Sequence, residues 1–222
     1  MLLLSHRGDR TELPGNTLAA FESAKRSGVD GFETDVRVCA DGSVILFHDR
    51  VAPNGKLVST ITRADLAEVV GYPIPTLEAA LSTYANSFWN LELKSAAALT
   101  PMLEILAKLK PCGPILITSF LHPIMVECSE RCDYDCGIII AHRPIAVSNI
   151  LRSPQLASKI HTLVVDFETA DARLVEETVT AGLRLFVYGP ITADDHRLAV
   201  QLNVAGVITD RLELARSTLN RG

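Results

Sequence analysis

The sequence lacks the features that mark several large classes of protein. No apolar stretch approaches the roughly 20 residues that a membrane-spanning helix needs, so we expect no membrane span. The apolar start at Leu2–Leu4 is far shorter than the apolar segment of a secretory signal, and we expect no such signal. No basic stripe with interleaved aromatic residues occurs, so we expect no nucleic-acid partner. These absences favour a cytoplasmic protein.

Cysteine is present but forms no familiar motif. The five cysteines are odd in number and make no Cys-x-x-Cys pattern. Cys128, Cys132 and Cys136 recur every four residues, so one helix could align them, and a metal or redox site is one hypothesis. The other hypothesis, which we favour, is that the cysteines are reduced, buried thiols of a cytoplasmic protein.

The bulk composition is that of an ordinary globular protein. Hydrophobic residues make up 48% of the 222 residues and charged residues 21%, and we expect one domain spanning residues 1–222. The formal charge of −5 comes from no acidic block. An acidic protein still binds an anion such as phosphate where a metal ion and a few local cations reverse the sign of the charge.

Short, β-branched apolar runs alternate with helical patterns along the whole chain. The candidate strands are Leu2–Ser5, Gly31–Val38, Val44–His48, Phe88–Leu93, Ile115–Thr118, Gly137–Ile140, Thr162–Val165, Leu185–Tyr188 and Gly206–Ile208. The helical stretches between them include Thr17–Ser27, Leu77–Ala85, Ala97–Leu109, Ala172–Ala181 and Asp194–Leu202. This alternation predicts parallel βα units, and the length suits an α/β fold with a single (β/α)8 TIM barrel.

Nine candidate strands are one more than an eight-stranded barrel needs, and a hairpin explains the extra one. Asp41-Gly42 lies between two alternating apolar runs, which is the strongest short-range signal for a hairpin. If these two residues form the turn, the returning strand is antiparallel and His48 lies opposite Asp35. A loop from Arg50 to Pro75, with a helix at Ala64–Val70, then forms a small insertion after the second strand.

The predicted register puts three ionisable groups on one face of the hairpin. Glu33 lies two residues before Asp35 and shares the face that Asp35 and His48 occupy. Burying two carboxylates and an imidazole without a partner costs several kcal/mol, so we expect a cation among them. A divalent metal cation, Mg²⁺ or Ca²⁺, fits because carboxylate oxygens are its preferred ligands. The alternative is a solvated strand face with ordinary charges.

Two more segments place functional groups at the carboxyl ends of strands, where barrel enzymes carry their chemistry. Glu92 and Lys94 close one strand at a spacing of two and therefore share a face. Glu92 would be a third carboxylate for the metal, and Lys94 a cation for a phosphate oxygen. His6-Arg7-Gly8 follows the first strand, and an arginine beside a glycine can present its guanidinium to phosphate.

These motifs, in this order, resemble the glycerophosphodiester phosphodiesterase family. The matching segments are His6-Arg7-Gly8, Pro14-Gly15-Asn16-Thr17-Leu18-Ala19-Ala20-Phe21, Glu33-Thr34-Asp35-Val36, Asp41-Gly42, Phe47-His48-Asp49, Ile74-Pro75-Thr76-Leu77-Glu78 and Asn90-Leu91-Glu92-Leu93-Lys94, with a fainter match through Ser119-Phe120 to Gly206-Val207-Ile208-Thr209-Asp210. The resemblance implies a barrel that hydrolyses glycerophosphodiesters to sn-glycerol 3-phosphate and an alcohol. It implies that His6 and His48 are an acid-base pair and that Arg7 and Lys94 bind the phosphate. It also implies that a divalent cation is bound by Glu33, Asp35 and Glu92.

The sequence departs from the family pattern at two places. Gly15 stands where the family usually has glutamate, and Tyr188-Gly189-Pro190 stands where a tryptophan is usual. Neither change removes a predicted metal ligand or acid-base residue, but both alter the expected shape of the alcohol pocket. Tyr188 either packs the glycerol at the mouth of the barrel or belongs to the core. The sequence leaves open which histidine is the base, and whether water or the glycerol 2-hydroxyl attacks first.

Three other functions are compatible with the sequence. A related phosphodiesterase of other specificity, lysophospholipase D-like, would keep the same groups. A metal-dependent barrel lyase or aldolase would use the cation to stabilise an enolate, and a non-catalytic barrel would only bind phosphodiesters. The sequence does not define the native metal, the head-group preference or the oligomeric state.

Several other polar residues have simpler expected roles. We expect Asp49 either to orient the His48 ring or to close the hairpin, and Asp210 to cap a helix at Leu212–Ser217. The remaining histidines are predicted surface or loop residues: His122, His142, His161 and His196.

Overall fold

Eight parallel strands form a closed barrel in the computed structural model, which describes residues 1–150 and 159–219. The barrel strands are β1 (Leu2–His6), β2 (Gly31–Val38), β4 (Phe88–Leu93), β5 (Ile115–Ser119), β6 (Asp135–Ile140), β7 (Ile160–Asp166), β8 (Arg184–Tyr188) and β9 (Gly206–Thr209), and β3 (Val44–Leu46) is antiparallel to β2. Each barrel strand pairs with the next, and β1 pairs with both β2 and β9, which closes the ring. The predicted (β/α)8 barrel is therefore confirmed.

Helices on the outside of the barrel connect successive strands. They are α1 (Leu18–Arg26), α2 (Arg63–Val70), α3 (Leu77–Thr83), α4 (Leu99–Leu109), α5 (His122–Arg131), α6 (Val147–Ile150), α7 (Ala172–Thr180), α8 (Ala193–Gln201) and α9 (Leu212–Thr218). Hydroxyl caps begin several of them; Thr192 and Asp195, for example, form a reciprocal capping box at α8. None of the described helices combines the length and the apolar character that crossing a membrane requires.

The hydrophobic core has an inner and an outer layer. The inner layer fills the barrel with the buried side chains of Leu4, Phe88, Leu116, Ile139, Val164, Phe186 and Ile208. The outer layer packs the strands against the helices and includes an aromatic group whose ring centroids lie 4.8–6.5 Å apart, formed by Phe21, Phe32, Tyr84 and Trp89. Such side chains bury about 150–250 Å² each. The inner layer closes the barrel below its mouth, and polar residues occupy the strand ends above it.

The hairpin forms where it is predicted, but its register differs by one residue. The pairs in the structure are Val36 with Leu46, Arg37 with Ile45 and Val38 with Val44. The turn contains three residues, since the Cys39 N–H donates to the Ser43 carbonyl (3.0 Å) and Gly42 takes the left-handed conformation (φ 78°). The two-residue turn is therefore wrong. A one-residue slip turns side chains to the other face, so the direct opposition of His48 and Asp35 is wrong as well.

His48 reaches the mouth of the barrel from outside the strand. β3 ends at Leu46, so strand alternation does not decide where the following side chains point. Arg37 donates from Nε (2.9 Å) and Nη2 (2.8 Å) to the His48 carbonyl. The Phe47 N–H donates to the Asp35 carbonyl (2.9 Å). Anchoring of the backbone, and not the register of the hairpin, therefore positions His48.

The segment between β3 and α3 is a small insertion with a core of its own. It contains a 3₁₀ turn at Val58–Thr60 and α2, which is capped by Gly71 in the left-handed conformation. Its buried apolar cluster includes residues of the hairpin and consists of Cys39, Ile45, Phe47, Ala52, Val58, Ile61, Leu66 and Ile74. This shared packing fixes the insertion beside the mouth of the barrel, and the predicted insertion after the second strand is confirmed.

Candidate active site and metal centre

Three strands of the barrel deliver ionisable side chains to its mouth. His6 ends β1, Glu33 and Asp35 lie in β2, and Glu92 lies near the end of β4. In the parallel register His6 is beside Glu33, and Asp35 is beside Glu92. Paired residues of adjacent strands share a face, so the four side chains meet at the carboxyl ends of the strands.

The three predicted carboxylates converge. Oxygen atoms of Glu33, Asp35 and Glu92 lie within 4.8 Å of one another, and all three residues are buried. Glu33 Oε2 accepts no hydrogen bond from any residue that the structure describes. Buried carboxylates in this arrangement repel one another, whereas Mg²⁺ and Ca²⁺ bind such oxygens at about 2.0–2.6 Å. The donor set therefore fits a divalent cation that prefers oxygen ligands.

Two cationic side chains lie among the carboxylates. Arg7 Nε is 2.9 Å from Asp35 Oδ2. Lys94 Nζ is 2.7 Å from Glu92 Oε1 and 3.3 Å from Asp35 Oδ1. Arg7 and Lys94, predicted from the sequence to bind phosphate, are thus placed beside the predicted metal ligands. When all three carboxylates are ionised, the two positive side chains leave the cluster with a net negative charge.

Burial and these charges set the pKa values of the carboxyls. Burial, reinforced by Asp35 and Glu92, raises the pKa of Glu33 well above its usual value. Burial and Asp35 also raise the pKa of Glu92, against the opposing effect of Lys94. Burial acts in the same direction on Asp35, but Arg7 and Lys94 outweigh it and hold the pKa of Asp35 below its usual value. A bound cation favours the charged form and would lower all three pKa values.

The loop after β1 holds the Asp35 carboxylate from its other side. Asn16 donates from Nδ2 to Asp35 Oδ2 (2.8 Å) and accepts at Oδ1 from the Thr34 hydroxyl (2.7 Å). Asn16 and Arg7 both have positive φ (60° and 63°), which is uncommon for residues other than glycine. Sequence reasoning misses this role of Asn16, although the residue lies in the motif Pro14-Gly15-Asn16-Thr17.

Two glycines let this loop pack closely. A Cβ at Gly8 would lie 2.6 Å from the Ala20 backbone, and Gly8 also has a φ of 83°. A Cβ at Gly15 would lie 3.0 Å from Arg10 Cδ and 3.1 Å from Arg7 Cβ. The departure from the family pattern at Gly15 thus accompanies close packing of two arginines against the loop.

Asp210, from the far end of the chain, orients His6. Asp210 Oδ2 is 3.0 Å from His6 Nδ1, and Asp210 Oδ1 is 3.3 Å from Arg10 Nη1. Burial raises the pKa of Asp210, but His6 and Arg10 outweigh it and lower that pKa below its usual value. With Nδ1 engaged, His6 Nε2 lies 3.8 Å from Glu33 Oε2. The predicted capping role of Asp210 is wrong, because α9 has Arg211 at its N-cap and no side-chain cap bond.

His48 has an equivalent partner next to it in the chain. Its Nδ1 lies 2.7 Å from Asp49 Oδ1, which leaves Nε2 as the other ring nitrogen. Of the two expected roles of Asp49, the structure thus favours orientation of the ring. The His48 side chain is more exposed than that of His6, 42% against 26%.

The two histidines line one cavity, which is polar on one side and apolar on the other. Its volume is about 200 Å³. Residues from β1 to the end of β4 supply the polar lining of His6, Arg7, Glu33, His48, Asn90, Glu92 and Lys94. Residues from β5 to β9 supply the apolar lining of Phe120, Ile139, Val164, Tyr188 and Ile208. The rings of Tyr188 and Phe120 meet edge to face at 6.4 Å, so Tyr188 is a wall of the cavity.

The remaining histidines do not line the cavity. His142 and His161 are exposed, as predicted. His122, which begins α5, is half-buried. His196 is buried in α8, where its ring contacts the Thr192 carbonyl (2.6 Å) and the Thr209 hydroxyl (3.1 Å). The surface position predicted for His196 is wrong, because two fixed hydrogen-bond partners replace water around the imidazole.

Comparison with known proteins finds relatives along nearly the whole chain. The sequence model of the glycerophosphoryl diester phosphodiesterase family matches residues 6–214. A glycerophosphodiester phosphodiesterase of Caldanaerobacter subterraneus subsp. tengcongensis is 25% identical over 249 aligned residues, which cover 100% of this chain and 98% of that protein. A probable glycerophosphodiester phosphodiesterase of Mycobacterium tuberculosis is 33% identical over 127 residues, which cover 54% of this chain and 48% of that protein.

Solved structures share the fold. A phosphodiesterase of Oleispira antarctica, solved in complex with the product sn-glycerol-3-phosphate, superposes with a TM-score of 0.86 at 21% identity and covers 99% of this chain and 97% of its own. A glycerophosphodiester phosphodiesterase of Thermotoga maritima superposes with a TM-score of 0.80 at 25% identity and covers 96% of each chain. At 21% identity, the similarity to the Oleispira antarctica structure shows a shared fold and does not identify a substrate.

Proposed function

The chain belongs to the glycerophosphoryl diester phosphodiesterase family, and we propose that it hydrolyses glycerophosphodiesters to an alcohol and sn-glycerol 3-phosphate, with His6 and His48 as the acid-base pair at a divalent cation. One observation carries the proposal: two histidines, each held at Nδ1 by a carboxylate, line one cavity with converging carboxylates. A barrel that only binds phosphodiesters has no need for a second oriented imidazole.

The two histidines have the geometry of proton-transfer groups. Because Nδ1 of each ring contacts a carboxylate, Nε2 is the nitrogen that exchanges a proton with the substrate. One histidine takes the proton of the attacking group, which is either water or the glycerol 2-hydroxyl, and the other gives a proton to the leaving alcohol oxygen. Attack by the 2-hydroxyl gives a cyclic phosphate, which water then opens to sn-glycerol 3-phosphate. Groups of this kind each contribute about 10²–10⁴-fold to the rate.

The phosphate group would bind where the cationic side chains meet the carboxylates. A divalent cation held by Glu33, Asp35 and Glu92 would stabilise negative charge on a non-bridging phosphate oxygen. Arg7 and Lys94 line the cavity and carry donors that suit the other phosphate oxygens. Both side chains pair with the carboxylates in the structure, so binding of the cation would make their donors available to the phosphate.

The shape of the cavity favours recognition of the glycerol phosphate end of the substrate. A volume of about 200 Å³ is below the roughly 300–1,000 Å³ of pockets for drug-sized ligands, so we expect most of the alcohol to remain in solvent. Tyr188 and Phe120 present flat apolar surfaces to the glycerol carbons. Asn90 Nδ2 is buried, has no hydrogen-bond partner among the described residues, and offers a donor to a glycerol hydroxyl.

We also propose a cytoplasmic location for the protein. The support is the cysteine pattern, since five cysteines are odd in number and do not form the paired framework that is typical of small secreted proteins.

Glycerophosphocholine is the substrate that tests the proposed activity. Protein treated with a chelator and then supplied with Mg²⁺ or Ca²⁺ should release sn-glycerol 3-phosphate and choline, and excess chelator should stop the release. Glu92→Gln should lower the activity strongly, whereas Glu104→Gln, which changes an exposed glutamate of α4 in the same way, should not. Binding without product would refute the hydrolysis, and release that survives chelation would refute the role of the metal.

A further inference from the structure

Three cysteine sulfurs meet at the end of the barrel opposite the active site. Cys128 lies in α5, Cys132 directly follows that helix, and Cys136 lies near the start of β6. We call these three residues the thiol cluster. Because strands of the barrel start at the end opposite the mouth, the thiol cluster is remote from the carboxylates. The sequence suggests one helix for all three cysteines, but the structure takes them from a helix, its cap and a strand.

The sulfurs of the thiol cluster surround a common point. Cys128 Sγ is 3.9 Å from Cys132 Sγ and 4.0 Å from Cys136 Sγ, and the three sulfurs all lie within 4.8 Å of one another. Three thiolates bound to one cation at about 2.3 Å are separated by roughly 3.8 Å in a tetrahedral site and roughly 4.0 Å in a trigonal one. Two of the three sulfur–sulfur distances therefore already match ligands of a single cation.

Packing of apolar groups alone does not require this arrangement. A buried thiol behaves as a small hydrophobe and needs no sulfur neighbour. Cys128 and Cys136 are fully buried in the outer core layer, where aliphatic neighbours are plentiful. Helical spacing brings Cys128 and Cys132 to one face. Core packing does not explain why the sulfur of Cys136, in β6, joins them, whereas a site for a soft cation needs all three.

The thiol cluster is sealed on one side and accessible on the other. Cys132 is half-buried, unlike the other two cysteines, and gives a cation a route from solvent. Binding of a cation to the three cysteines releases their thiol protons.

We propose that the thiol cluster is a second metal site, which binds one thiophilic d¹⁰ cation, Zn²⁺ or Cu⁺, through three thiolates. Thiolates select such soft cations, whereas Mg²⁺ and Ca²⁺ prefer oxygen ligands, so the two sites do not compete for the same ion. The bound cation ties the end of α5 to β6 and stabilises the folded chain. No residue of the thiol cluster lines the catalytic cavity, so this proposal does not depend on the proposed activity.

Co²⁺ is a probe that distinguishes the two sites. Charge transfer from thiolate to Co²⁺ absorbs in the near ultraviolet, and the carboxylate site contains no sulfur that could produce this band. The full chain, reduced with a phosphine, is titrated with Co²⁺, and the band should saturate at one thiolate-bound ion per chain. Zn²⁺ and Cu⁺ are then added separately, and the ion that removes the band at the lower concentration is the preferred one.

Two cysteine variants supply the comparison. Cys132→Ser should raise the Co²⁺ concentration for half-saturation by about tenfold or more, because it removes one of three ligands. Cys112→Ser changes an exposed cysteine outside the thiol cluster and should leave the titration unchanged. Cys132 is half-buried, so its variant should remain folded, which thermal unfolding checks.

The same experiment can overturn the proposal. If the reduced wild-type chain shows no charge-transfer band and does not retain Cu⁺ against a chromophoric Cu⁺ chelator, the thiol cluster is not a metal site. A band that is equally strong in Cys132→Ser, in a variant that unfolds like the wild type, would assign the bound ion to other cysteines and also contradict the proposal.

Discussion

The two halves of the barrel contribute to the candidate active site in different ways. The half from β1 to β4 supplies all the charged and imidazole side chains that line the cavity, and the half from β5 to β9 supplies an apolar wall. One carboxylate crosses this division, since Asp210 follows β9 and contacts His6 of β1. The comparison shows that the chemistry and the shape of the site are encoded in separate parts of the chain.

The division has a physical basis in the cost of burying charge. Adjacent strands lie about 4.8 Å apart, so charges on neighbouring strands can pair directly. Arg7 with Asp35 and Lys94 with Asp35 are such pairs. An apolar wall needs no matched partners and tolerates more change. We therefore expect substitutions in the first half to lower kcat and substitutions in the second half to act mainly on KM.

The largest expected effect is the loss of either histidine. His6→Ala and His48→Ala should each lower kcat on glycerophosphocholine by about 100-fold or more, since each removes a proposed proton-transfer group. Thermal stability should change little, because both residues lie at the mouth and not in the core. His161→Ala, which changes an exposed histidine of β7, is the matched control.

The substrate decides whether this measurement is informative. A nitrophenyl ester has a leaving group that hardly needs a proton, so its hydrolysis could survive the loss of the acid. Wild-type turnover of glycerophosphocholine by either variant would remove that histidine from the mechanism.

Substitution of Asp210 tests the one carboxylate that follows β9 and contacts a residue of the first half. Asp210→Asn keeps the size of the side chain but weakens its hold on the His6 ring, and we expect kcat to fall by about 10- to 100-fold. Because the residue acts through His6, the pH dependence of kcat should also shift, and Asp210→Glu should restore part of the activity. Asp133→Asn, on the surface, is the control. If the pH dependence of kcat were the same in Asp210→Asn as in the wild type, the contact between Asp210 and His6 would have only a structural role.

The raised pKa of Glu33, a residue of the first half, predicts that the free energy of unfolding depends on pH. A carboxyl whose pKa is higher in the folded than in the unfolded state stabilises the fold below the unfolded pKa, and this stability is lost as the pH rises through the folded pKa. With a chelator present, the wild type should therefore lose stability relative to Glu33→Gln as the pH rises above about 4.3, the usual pKa of a glutamate carboxyl.

Thermal unfolding measures this difference. One kcal/mol corresponds to a shift of about 2–4 °C in Tm for a chain of this size. Mg²⁺ should restore the stability of the wild type at the higher pH and should have less effect on Glu33→Gln. Parallel pH profiles of the two proteins in chelator would show that Glu33 does not carry the effect.

The smallest effect is expected for changes of the alcohol, since we expect most of it to remain in solvent. Choline, ethanolamine and glycerol head groups should differ by less than about tenfold in kcat/KM, which is roughly 1.4 kcal/mol. Phe120→Ala should raise KM for all three alike, and an acylated glycerol should cost more than any change of head group. A strong preference for one head group, with indifference to the glycerol side, would show that recognition is arranged the other way round.

The sequence alone was enough to predict the barrel and to place most of the charged residues at its mouth. The bounds of Gly31–Val38 and Phe88–Leu93 agree with the structure because polar and apolar residues alternate along both stretches, which is the pattern of a strand. Glu33 and Asp35 share a face because side chains alternate along a strand, and Glu92 joins them because the order of the strands along the chain is also their order around the barrel. The metal-binding and catalytic roles of these residues, and of the histidines, stay predictions.

The tertiary structure decided the contacts that no local rule specifies. The turn of the hairpin took one residue more than Asp41-Gly42 indicates, and Arg37 then set the position of His48 by holding its carbonyl. His6 and Asp210 are separated by 204 positions in the chain and meet because β9 pairs with β1. Closure of the barrel creates such contacts, and periodicity within single elements contains no information about it.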